Sequence, residues 1–134
     1  MNLAKSLALS TAFAIGLGAV PALAQDTAKG KRLFKRCAAC HTLEEGGKNK
    51  VGPNLFGILG RQIATAENFR FSNAFKELDF AWDEAKMDEF ILAPKKMIPG
   101  TKMAFPGLRK EQDRADLIAY LMEATTTSTA DATD

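Results

Sequence analysis

The sequence predicts an all-α domain of short helices separated by long loops. Apolar residues recur at helical spacing in several segments, no convincing run alternates with a period of two, and glycine and proline crowd the stretches between. At 134 residues, with 46% hydrophobic and 25% charged side chains, the composition suits one ordinary globular domain rather than a disordered or fibrous chain.

A leader comes first. Lys5 supplies a positive start, Leu7 to Val20 an apolar run, Pro21 a break and Ala22-Leu23-Ala24 a small-residue cleavage site, so residues 1–24 read as a secretory signal peptide removed on export. The run is too short to span a bilayer. An organellar transit peptide would be rich in arginine, so the expected destination is a bacterial periplasm. The folded domain is then expected over residues 25–124. Loss of Lys5 lowers the formal net charge of +2 by one, and the remaining cations are unevenly spread. Lys29, Lys31, Arg32, Lys35 and Arg36 form one group, and Lys95, Lys96, Lys102, Arg109 and Lys110 another.

The first helix is expected to start at Asp26 or Thr27, either of which can cap it, and to carry Leu33, Phe34 and Cys37 on its inward face. Six glycines and prolines between Gly46 and Gly60 then predict loop. Ser72 is a candidate cap for a short helix with Phe75 and Leu78. Asp83 to Leu92 repeats the helical pattern through Met87, Phe90 and Ile91, and Pro94 is expected to stop it. Lys95 to Gly107 reads as loop. A last helix is expected from Lys110 to Ala124, with Ala115, Ile118, Leu121 and Met122 inward and charges opposite. Residues 125–134 read as a polar tail.

The chemistry lies in Cys37-Ala38-Ala39-Cys40-His41. Two thiols at i and i+3 followed at once by an imidazole read as attachment of a c-type haem through two thioethers, and on a helix both sulfurs face the same porphyrin edge. His41, the only histidine, can then turn beneath the macrocycle to ligate iron. The alternatives fit less well. A thioredoxin-like redox pair needs a βαβ surround, a structural zinc needs four ligands, and a plain disulfide leaves the histidine unexplained. A chain cut into short helices and loops also needs a large apolar group to complete its core, and Trp82, Tyr120 and the abundant phenylalanines could line it.

Histidine and methionine together are the haem ligands of cytochromes c. Met1 leaves with the leader, and Met87 and Met122 occupy helix positions suited to core filling. Met97 and Met103 remain in the 95–107 loop, and spacing barely separates them. Residues 94–105, Pro-Lys-Lys-Met-Ile-Pro-Gly-Thr-Lys-Met-Ala-Phe, closely resemble the methionine-ligand loop of class I c-type cytochromes, the mitochondrial and bacterial c₂ group. In the same order, Lys29-Gly30-Lys31, Phe34, Cys37 to Thr42, Gly46 to Lys48, Gly52 to Leu55, Gly60-Arg61, Trp82 and Arg114 to Leu121 are similar to that family over nearly the whole mature chain.

The resemblance implies the cytochrome c fold wrapped around one covalent haem c held by Cys37 and Cys40, with His41 and Met103 as axial iron ligands. It implies that Pro53 accepts a hydrogen bond from His41, that Arg61 and Trp82 serve a buried propionate, that Phe90 and Thr101 complete the haem surroundings, and that Gly30, Phe34 and Tyr120 join the first and last helices. Phe71 and Phe90 stand where mitochondrial members carry tyrosines, Phe75 where they carry asparagine, and Asn49 in place of a structural histidine.

With both axial positions filled by protein, outer-sphere electron transfer is the implied role, not catalysis. The expected product is a soluble, monomeric periplasmic carrier. Its exposed cations, among them Lys48, Lys50, Lys95, Lys96 and Lys102, would dock it on acidic surfaces of a membrane cytochrome complex, terminal oxidase, reductase or reaction centre. No nucleic-acid partner and no stable membrane insertion are expected. The rival reading is a peroxide- or gas-binding haem protein whose methionine departs.

Overall fold

The computed structural model describes residues 23–126, so all but the last two residues of the predicted leader and most of the predicted tail lie outside the described residues. Five helices follow in order: α1 (Thr27–Ala38), α2 (Asn73–Lys76), α3 (Glu84–Leu92), α4 (Pro94–Met97) and α5 (Glu111–Thr126). Among the described residues the only β pairing is an isolated antiparallel bridge between Gln62 and Ala81. The all-α expectation holds.

α1 begins where Asp26, in extended conformation, accepts a hydrogen bond from the Lys29 amide at 2.8 Å, a side-chain cap for an otherwise unpaired helix donor. Of the two candidate caps, the structure uses Asp26. Gly30 and Phe34 form the buried row of α1, and that row crosses α5. A Cβ on Gly30 would run into the Asp116 carbonyl and the Tyr120 Cβ, so only glycine lets the two backbones approach this closely. One turn on, the Phe34 and Tyr120 rings meet with centroids 5.8 Å apart.

The crossing also buries charge. Asp116, 1% exposed, accepts from the Asp26 amide at 2.9 Å and from Gln112 at 2.8 Å, and pairs with Lys29 at 3.1 Å. Lys29 reaches Asp113 as well, at 2.7 Å. Arg114, 6% exposed, binds Asp88 on α3 at 2.7 Å and the Leu108 and Arg109 carbonyls. The inward row of α5 is therefore Leu117, Ile118, Leu121 and Thr125 together with two paired charges, whereas Met122, expected inward, is 39% exposed. Periodicity assigns charges outward; here partners make burial tolerable.

Two boundaries differ from expectation. α5 runs two residues into the predicted tail because Thr125 is buried and its hydroxyl donates to the Leu121 carbonyl at 2.8 Å. Pro94 ends α3 as foreseen but also opens α4, since a proline at the first helical position gives up no hydrogen bond. The predicted 95–107 loop thus starts with a helical turn. It returns to α3 at Gly107, whose φ of +102° and lack of a Cβ let the Leu92 carbonyl approach, and the Leu108 amide donates to Ile91 at 2.8 Å. Leu78 lies past the end of α2 and is exposed.

The buried core joins these elements: Phe34 from α1, Met87, Phe90 and Ile91 from α3, Leu117, Ile118 and Leu121 from α5, and Ile58, Ile63, Trp82, Ile98 and Leu108 from the loops. Burial alone would raise the Asp116 carboxyl, but hydrogen bonds from Asp26, Gln112 and Lys29 outweigh it and hold the group below the usual carboxylate range. A depressed folded value gives stability that is full above the ordinary aspartate range and lost as pH falls through the folded value. Asp116→Asn should therefore lower the urea midpoint at neutral pH, and the gap between parent and variant should close as the pH is taken down into that range.

Candidate haem site

The last turn of α1 carries Cys37, and Cys40 follows two residues past the helix end. Beyond Cys37 the chain turns so that the Cys40 and His41 amides both donate to the Cys37 carbonyl, at 3.0 and 2.9 Å, which places the two half-buried free thiols and the imidazole on one turn of backbone. Burial pushes the Cys37 thiol up to about 11, against a small opposing effect of the neighbouring Arg36. Among the described residues no group of three or more His, Cys, Asp and Glu could hold a metal ion, which leaves the zinc alternative without its remaining ligands.

His41 is held from two sides. Its Nδ1 lies 2.7 Å from the Pro53 carbonyl, so Nδ1–H donates and Nε2 keeps its lone pair. Burial lowers the imidazole pKa, with the Pro53 bond working the other way, which favours the neutral ring. Gly52 packs on the opposite side, where a Cβ would lie 2.7 Å from Nδ1 and 2.8 Å from Nε2, and its amide donates to the Cys40 carbonyl at 2.8 Å. Lys50 adds a bond from Nζ to the Ala38 carbonyl at the end of α1, also 2.8 Å.

The loop beneath this ring is tied to the next by an amide. Asn49 donates to the Glu67 carbonyl at 2.9 Å while its oxygen accepts from the Asn54 amide at 2.8 Å. Asn49, which stands where the resemblance places a histidine, thus bridges two loops with a donor and an acceptor. Asn54 in turn binds Thr42 and the Glu44 carbonyl.

Arg61 and Trp82, far apart in sequence, are brought together by backbone bonds: Trp82 N donates to Arg61 O at 2.9 Å and Gly60 N to Trp82 O at 2.6 Å. The half-buried Arg61 guanidinium donates to the Asn54 and Phe56 carbonyls, and among the described residues no ion pair engages it. Trp82, 5% exposed, opens an aromatic wall that continues through Phe90 (centroids 5.2 Å apart), Phe75 (5.8 Å), Phe71 (5.9 Å) and Phe69 (4.8 Å). The positions suspected of losing polar groups, Phe71, Phe75 and Phe90, make this wall.

Met97 falls on α4 and Met103 in the extended stretch that follows, both half-buried against the core. Buried Thr101 fixes the second of these stretches, its hydroxyl accepting from the Met103 amide at 3.2 Å. Ser72 was read only as a helix cap, yet its side chain makes no capping bond. Its hydroxyl is buried without a partner among the described residues, and Ser72 lines a cavity of about 450 Å³ with Phe71, Gly100 and Lys102. Nothing in the local sequence separates this serine from an ordinary cap.

A turn that presents two thiols and an imidazole with a free Nε2, facing an aromatic core, defines a c-type haem protein. Comparison with known proteins agrees. The cytochrome c family matches residues 27–125. A cytochrome c-554 from Methylosinus trichosporium is 49% identical over 118 residues, covering 88% of this chain and 89% of the relative. A cytochrome c from Chlamydomonas reinhardtii is 52% identical over 103 residues (76% and 92%), and one from Nigella damascena 48% identical over 103 residues (76% and 93%). The chain belongs to the cytochrome c family, whose members carry one covalently attached haem c and act as electron carriers rather than enzymes. Cys37, Cys40 and His41 fit its attachment motif.

The residues present suit that group. The unpaired Arg61 cation and the unpartnered Ser72 hydroxyl are what carboxylate oxygens of a bound haem would satisfy, and the aromatic wall suits its apolar faces. Because Gly52 leaves no room beside the imidazole, Gly52→Ala should displace the His41 ring. Urea denaturation of the haem-loaded protein should show a loss of roughly 1–3 kcal/mol, and the visible spectrum should report a weakened axial bond.

Proposed function

We propose that this protein is a soluble, monomeric periplasmic electron carrier, exported by cleavage after Ala24, whose haem iron is held between His41 and Met103. The observation that carries the reading is the His41 ring, fixed through Nδ1 by the Pro53 carbonyl so that Nε2 is free to act as a ligand. The leader composition supports export. Among the described residues no helix is long and apolar enough to cross a membrane.

Haem iron bound this way supplies a one-electron couple, with thioether ligation favouring the ferrous state. The chain supplies the rest. Cys37 and Cys40 anchor the group, Pro53 and Gly52 hold the imidazole, and Trp82 and the phenylalanine wall exclude water. Arg61, Ser72 and Thr101 would offer it polar contacts, and Met103 would ligate the iron from a segment free of helix. Met103 is favoured over Met97 by the resemblance of residues 94–105 to the family's methionine loop, and Met97 falls within α4 whereas Met103 stands in extended chain.

The cations expected to dock this carrier on acidic redox partners, a membrane cytochrome complex, oxidase, reductase or reaction centre, are exposed. Lys95 and Lys96 stand on α4, and Lys102 is next to Met103. Their field would speed encounter without prolonging the complex.

Ferric protein should be low-spin with a weak sulfur-to-iron charge-transfer band at the red end of the visible range. Met103→Ala should abolish that band and lower the potential in a redox titration, whereas Met97→Ala should leave both; the reverse pattern would move the ligand to Met97. In stopped-flow kinetics with an acidic redox partner, replacing Lys95, Lys96 and Lys102 together by glutamate should slow electron transfer on the order of tenfold at low salt, and added salt should slow the parent more than the variant.

A further inference from the structure

Arg36 and Phe105 join two segments that the covalent chain keeps far apart. Arg36 stands in the last turn of α1 immediately before Cys37, and is close enough to influence that thiol. Phe105 lies two residues past Met103, half-buried against the core. The guanidinium carbon sits 5.2 Å from the centroid of the Phe105 ring, within cation–π range. Among the described residues no carboxylate pairs with Arg36, so its charge is directed at the ring and not at a salt bridge.

The Phe105 segment is otherwise lightly tied. It is anchored at one end by Thr101 N to Ile98 O at 3.1 Å and at the other by Leu108 N to Ile91 O at 2.8 Å. Among the described residues no backbone hydrogen bond holds residues 104–107 between those anchors. Segments held by few hydrogen bonds open at a small fraction of the global unfolding free energy. Side-chain contacts then decide how often this one opens.

We propose that Arg36 is a positioning residue, a latch whose contact with Phe105 holds the 101–107 segment closed and so sets how often Met103 leaves the iron. The latch rests on Met103 being the sixth ligand, the reading given above. It also removes Arg36 from the freely available docking cations, since a partner carboxylate that engaged Arg36 would have to take it from the ring. The planar guanidinium suits ring stacking better than an ammonium, so lysine should replace it only in part.

The test uses the ferric haem-loaded protein, with covalent attachment checked by mass, and imidazole as the probe ligand. At saturating imidazole the rate of binding is limited by opening of the segment. Arg36→Leu, which keeps an apolar stem but loses the charge, should raise that rate roughly two- to fivefold, and Arg36→Lys should recover part of the difference. Phe105→Leu should also raise it, and adding Arg36→Leu to Phe105→Leu should change it no further. Independent, multiplicative effects of the two substitutions, or an unchanged rate in Arg36→Leu, would overturn the latch. Amide hydrogen exchange at residues 104–107 separates this from a failure of the ligand assignment. If Met103 is not the ligand, the sulfur band is absent from the parent, yet Arg36→Leu should still speed exchange there; unchanged exchange rejects the latch whatever the sixth ligand is.

Discussion

The close approach of α1 and α5 at Gly30 is the contact on which the rest of the architecture depends. It brings the Asp116 backbone against a residue with no side chain, and the buried Asp116 carboxylate then gathers the Asp26 amide, Lys29 and Gln112 around it. α1 is thereby set at both its start and its middle. Its final turn carries Cys37, so the position of the attachment turn follows from a backbone contact two turns away. Arg114, on the same helix as Asp116, reaches Asp88 and the Leu108 carbonyl, which ties α3 and the end of the methionine segment to this frame.

Around the site the polar and apolar parts are divided by side. The attachment turn and the loop beneath it are held by hydrogen bonds through Pro53, Gly52, Lys50, Asn49 and Asn54. A second group, from Trp82 through Phe90, Phe75 and Phe71, is aromatic, and each ring meets the next at an inclined angle that suits ring quadrupoles. A wall of this kind supplies area and excludes water, but the phenylalanine rings donate no hydrogen bond to a sulfur or a carboxylate. On the proposed assignment, polar contacts to a bound haem would come from Arg61, Thr101 and Ser72.

This division bears on electron transfer. An iron site that changes charge by one unit reorganises least where the surroundings are dry and stiff, because fewer water dipoles must turn. The hydrogen-bonded side fixes the imidazole and the aromatic side excludes solvent. Among the described residues, 104–107 make no backbone hydrogen bond, so the two axial ligands of the proposed iron site differ in how firmly the chain holds them.

Much of this was determined by the sequence alone. The Cys37–His41 spacing specified the cofactor chemistry because thioether attachment and axial ligation need those groups on adjacent positions, and short-range rules placed α1, α3 and most of α5. Asp26 and Asp83 cap their helices as local rules require. Tertiary structure decided what local pattern could not. Asp116 and Arg114 are buried because their partners arrive from other elements, and Thr125 stays helical because its position is covered. Pro94 both ends one helix and starts the next, since either use satisfies its missing donor. Ser72 resembles a cap in sequence, yet its hydroxyl is left for another partner, and Arg36 meets Phe105 across 69 positions of chain. In each case the physical reason is the same: the free energy of burying a charge, a hydroxyl or a ring depends on which group lies opposite, and that group comes from a distant part of the chain.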